Sequence, residues 1–105
     1  MSDFDSRLRT YRLAKADLDR HQYGAVPEGR TAELAWEKET HRLAVAHGDA
    51  LDTLLLTKVW ALPDLLAKLE IIVAAEVYDN WHLNAAIMAL AVDDARHLIG
   101  GASHA

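Results

Sequence analysis

The sequence predicts an all-α protein of four helices: an N-terminal antiparallel helix pair with a long second helix, packed on a C-terminal helical hairpin. Three observations carry this. Apolar residues recur three and four positions apart through most of the chain, the spacing of one face of a helix. No stretch alternates β-branched and polar residues between turn signals, as a strand would. Helix-ending residues cluster at a few places: Gly24 to Gly29, Thr57 to Pro63, Asp79-Asn80 and Gly100-Gly101.

The first helix is expected from about Asp3 to Tyr23. Ser2 or Asp3 can cap its free N–H groups, and Asp5 suits the positive end of the helix dipole. Phe4, Leu8, Tyr11, Ala14 and Leu18 form its apolar stripe. Gly24 suits the end of this helix, and Pro27 cannot extend it. The second helix is expected to begin near Thr31, or a turn earlier at Pro27, and to reach about Leu56. Gly48-Asp49 would kink or split it. Trp36, Leu43, His47, Ala50 and Leu54 fall along one side.

Pro63 fits the first turn of a third helix, followed by Asp64. That helix is expected to end near Tyr78, with Asp79-Asn80 capping a fourth. The fourth should run to about Ile99 and stop at Gly100-Gly101, leaving a loose tail from Ala102 to Ala105. Both C-terminal helices read as apolar on two sides. On the third, Leu62, Leu65, Leu69, Ile72 and Val73 make the larger side, and Ala67, Ile71, Ala74 and Tyr78 a second seam. On the fourth, Leu83, Ile87, Leu90 and Leu98 make one side; Trp81, Ala85, Met88, Val92 and Ile99 make the other. A helix apolar on more than one stripe is either central or faces another chain.

Composition sets bounds on function. The 105 residues, 51% hydrophobic and 26% charged, fit a single folded domain over residues 1–105. No cysteine is present, which excludes disulfides and thiolate metal sites. The first residues lack the basic-then-apolar pattern of a signal peptide, and no apolar run approaches the ~20 residues that span a bilayer. A cytoplasmic protein without membrane contact is expected. Net charge is −5; residues 1–47 hold eight Lys/Arg and eight Asp/Glu, whereas residues 48–105 hold three and eight. Such a chain repels phosphate backbones, so no nucleic-acid partner is expected.

Candidate chemistry is sparse. Glu76 and Asp94 break the apolar sides of the third and fourth helices, and His97 follows Asp94 by three residues. A buried carboxylate must be paired, protonated or metal-bound. Glu76, Asp94 and His97 are therefore the candidate metal ligands, set against a structural reading in which they bond helix ends or cations. Glu37 and His41 are four apart on a solvated helix surface. Lys68 is the only cation on the third helix that could read a base, too few for a DNA-reading helix. The six histidines share no single face and read as scattered surface residues. No serine sits in a nucleophile turn and no glycine-rich loop opens a helix, so no catalytic residue and no cofactor are assigned.

The stretch Trp60-Ala61-Leu62-Pro63-Asp64-Leu65-Leu66-Ala67-Lys68-Leu69, followed by Glu76 and by Asp93-Asp94 through Leu98, resembles small uncharacterised all-helical proteins of alphaproteobacteria and their prophages. The resemblance covers the C-terminal half. It implies a helical fold and a mobile-element setting, and no catalytic residue. Three functions stay open: a non-enzymatic, homodimeric interaction protein, with Ile71, Ala74, Tyr78, Trp81, Met88 and Val92 in its contact surface; a phage- or plasmid-borne inhibitor of a host defence protein (anti-CRISPR-like), acting through the acidic half; and a metal-dependent enzyme with a carboxylate/histidine site. The partner is accordingly a second copy or another protein. A long second helix covering the surplus apolar surface is the alternative to a dimer.

Overall fold

A computed structural model describes residues 2–103, and the side chains of residues 2–100; His104 and Ala105, the end of the expected tail, lie outside them. The described residues form an all-α fold of four helices: α1 (Asp3–Tyr23), α2 (Arg30–Leu55), α3 (Leu62–Ala74) and α4 (Asn84–Ser103). The chain divides into two compact units, one ending at Leu54 and one beginning at Leu55.

In the first unit, α1 packs on α2. The Ser2 hydroxyl accepts the Asp5 N–H and the Asp5 carboxylate accepts the Ser2 N–H, a reciprocal cap that satisfies two orphan donors. Gly24 ends the helix in an extended conformation, its N–H bonded to the His21 carbonyl. Gly29, at φ 97°, takes a conformation that L side chains resist, and its carbonyl accepts the Glu33 N–H as α2 begins. The two helices run antiparallel: Tyr11 meets His47, whereas His21, further along α1, meets Trp36, earlier on α2. Phe4, Tyr11, Leu43, Leu51 and Leu54 are buried. Gly48 does not split α2, which continues for seven more residues. One glycine costs about 1 kcal/mol against alanine, and the leucines buried on either side of it outweigh that.

In the second unit, α3 packs on α4. Ala61 precedes α3 in an extended conformation without a side-chain cap, and Pro63 sits in the first turn. Leu65, Ile72, Val77, Ile87 and Ala91 are buried with Val59 of the segment before α3. Three expected boundaries move. α3 ends at Ala74, four residues before Tyr78, because Glu76 adopts φ 53°. The Glu76 N–H then bonds the Val73 carbonyl and the Val77 N–H bonds the Ile72 carbonyl, the paired bonds of a Schellman motif. Asp79-Asn80 falls inside the following turn, and α4 starts at Asn84. At its far end α4 runs through Gly100-Gly101 to Ser103. Gly29 is the one positive-φ glycine among the described residues, so Gly100 does not adopt the left-handed turn that would end a helix.

Candidate functional site

The most organised polar cluster is a buried ion pair in the second unit. Lys68 lies between Leu65 and Ile72 on the inward face of α3, and Asp94 lies three residues after Ala91 on the inward face of α4. Both are 0% exposed. The Lys68 ammonium donates to Asp94 Oδ2 at 2.5 Å and to the Thr57 carbonyl at 2.7 Å; Asp94 Oδ1 accepts the Val59 N–H at 3.3 Å. Two charges removed from water need such a complete set of partners, because the desolvation cost otherwise exceeds their attraction. Among the described residues no buried side-chain polar atom lacks a hydrogen bond. The pair therefore clamps residues 57–59 to both helices. Sealed from solvent, it has no route for substrate.

This geometry corrects the sequence expectations. Lys68 is no surface cation; its neighbours in the sequence, Leu65 and Ile72 at three and four residues' distance, share its face, and that spacing was the available signal. Asp94 is buried as expected, with a lysine as its partner. Glu76 is not on an apolar helix side: it is exposed in the turn after α3. His97 is exposed and meets the Trp60 ring edge-on at 5.1 Å, while the Lys58 ammonium lies 4.7 Å from the same ring's centre. Glu76, Asp94 and His97 thus occupy three different environments, and no group of three or more metal-ligating side chains converges among the described residues. Glu37 and His41 are both exposed.

Two of the histidines expected at the surface, His21 and His47, are half-buried against aromatic rings. In the first unit His21 stacks on Trp36 with ring centres 4.8 Å apart. The Thr40 hydroxyl donates to the Trp36 carbonyl at 2.9 Å, so the 2.8 Å contact between His21 Nε2 and Thr40 Oγ1 places the histidine proton on Nε2. His47 lies against Tyr11, ring centres 5.4 Å apart. Burial lowers the His47 pKa from its ordinary 6.5; the Lys15 ammonium adds to this and the Asp19 carboxylate opposes it. Burial likewise raises the Tyr11 phenol above 10.0, Lys15 opposing and Asp19 reinforcing. On the surface, the Arg42 guanidinium bonded to Glu39 holds that carboxyl below its ordinary range.

The six expected contact residues divide. Met88 and Val92 are exposed on α4, Ala74 is exposed at the end of α3, and Ile71 is half-buried on α3. Tyr78, exposed, and Trp81, half-buried, belong to the connection between the helices. On α3 the apolar sides are arranged differently from the expectation. Leu65 and Ile72 face inward with Lys68, whereas Leu62, Leu66, Leu69 and Val73 are 39–64% exposed. An apolar groove is lined by Leu62, Pro63, Leu65, Leu66 and Leu69. No described helix is long and apolar enough to cross a membrane. In comparisons with family models, curated proteins and solved structures, nothing matches this chain.

Proposed function

We propose that this protein acts by contact and not by catalysis: it is a helical interaction protein that associates with a second copy of itself through its C-terminal helices. The observation that supports this is the row of large apolar side chains left in solvent on α3, with Met88 and Val92 exposed on α4. Scattered exposed leucines are ordinary, but a contiguous apolar stripe at helical spacing is the kind of surface that marks an interface. The best-organised polar cluster is compatible with the same reading, since the Lys68–Asp94 pair is closed to solvent and ties residues 57–59 to α3 and α4. Closed two-fold dimers are also the commonest assemblies of soluble proteins.

Light scattering on a size-exclusion column, run from about 1 to 100 μM to bracket micromolar association, tests this. The expected mass is twice the chain's 11.6 kDa. Met88→Asp, which places a charge on the exposed side of α4, is expected to weaken association about tenfold, a change of ~1.4 kcal/mol. A wild-type chain that stays monomeric throughout the range would overturn the reading.

A further inference from the structure

We infer that α3 forms the two-fold contact, packing antiparallel against α3 of a second copy. The inference rests on the self-association proposed above and specifies its surface and orientation. Leu62, Leu66, Leu69 and Val73 are spaced four, three and four residues apart. This is the alternation that keeps a seam facing one partner helix along its length. The stripe covers about 17 Å of helix at ~1.5 Å per residue.

The spacing reads the same in both directions. An antiparallel second copy places its Val73 opposite Leu62 and its Leu69 opposite Leu66, and the reciprocal contacts follow by symmetry, as an isologous two-fold interface requires. The shallow apolar surface along Leu62, Leu66 and Leu69 is the face that the opposing side chains meet.

Charge selects the orientation. Exposed Lys58 stands before the stripe, and exposed Glu76 and Asp79 stand after it. Antiparallel pairing brings Lys58 of each copy to the acidic turn of the other. A parallel, in-register pair would instead bring the two Lys58 ends together and the two acidic turns together. Like charges placed directly opposite each other disfavour that arrangement.

The absence of cysteine from the chain makes cross-linking a clean test. Leu66→Cys and isotope-labelled Leu69→Cys are prepared separately, since both sites are exposed and the changes leave the core intact. They are then oxidised mildly, alone and mixed. Disulfides need Cα atoms within about 7 Å, a separation that antiparallel pairing gives to position 66 with 69. The mixture is expected to cross-link about tenfold faster than either variant alone, the product carrying one labelled chain. Equal or faster cross-linking of each variant alone would overturn the antiparallel register. A dimer by mass with no cross-link in any sample would overturn α3 as the contact while leaving self-association standing. A monomer by mass removes both. Independently, Lys58→Glu is expected to weaken the dimer about fivefold, in the range of exposed ion pairs, and Lys58→Glu with Glu76→Lys to restore it. An unchanged dissociation constant in Lys58→Glu would also count against the orientation.

Discussion

The Lys68–Asp94 pair shows how one residue's role changes with its surroundings. A lysine on a helix surface is worth a few tenths of a kcal/mol; a lysine at 0% exposure is tolerable only because a carboxylate and a carbonyl replace its hydration. Lys68→Met leaves Asp94 charged and unpaired in the core, and is expected to destabilise the protein by about 3–5 kcal/mol, read as a lower urea midpoint. Lys68→Met with Asp94→Leu removes both charges and is expected to be more stable than either single variant. A double variant as unstable as the sum of the two singles would deny the coupling. His47 gives a second test, in pH. Its native pKa lies below 6.5, so between the two values the unfolded chain binds more protons than the folded one. The stability this histidine contributes is thus complete above pH 6.5 and is lost as pH falls through the lowered native value. Urea midpoints at decreasing pH are expected to fall less steeply for His47→Gln than for the wild type. Of these two residues only His47 was placed on a packed face by periodicity; Lys68 was masked by the rule that lysines are rarely buried.

At the scale of elements, helix starts were more legible than helix ends. Ser2 and Asp5 form a cap whose chemistry lies within four residues, and α1 begins and ends where spacing and caps put it. The end of α3 was hidden because its terminating residue is a glutamate where a glycine is usual. Val77 and Ile72, both buried and joined by a backbone hydrogen bond, hold Glu76 at positive φ. A side chain with a Cβ costs about 1–2 kcal/mol there. Glu76→Gly is therefore expected to raise stability by about 0.5–1 kcal/mol, the relief being offset in part by the entropy of glycine in the unfolded chain. A decrease in the thermal midpoint would show that the glutamate side chain itself stabilises the turn. Gly48 and Gly100 mark the converse case: glycine ends a helix only where the chain turns left-handed, and neither takes that conformation.

For the molecule as a whole, the apolar surplus of the C-terminal half was evident from the sequence, but its location was not. α3 turns Leu65, Lys68 and Ile72 inward and leaves Leu62, Leu66, Leu69 and Val73 outside, which splits the side that the spacing had grouped together. If these residues meet a second copy, folding is linked to association, and the thermal midpoint is expected to rise with protein concentration. A midpoint independent of concentration from about 1 to 100 μM would place the apolar stripe outside any dimer contact.

Signals that act within one helical turn were enough to determine the all-α class, the number of helices and the start of α1, because periodicity and capping are properties of neighbours in the chain. Which polar groups are buried together, and which apolar side stays wet, was decided only in three dimensions. Lys68 and Asp94 are 26 residues apart, and the Thr57 carbonyl and Val59 N–H that complete their shell carry no side-chain signature at all. Desolvation depends on every group packed around a charge, and that environment exists only once the helices have met.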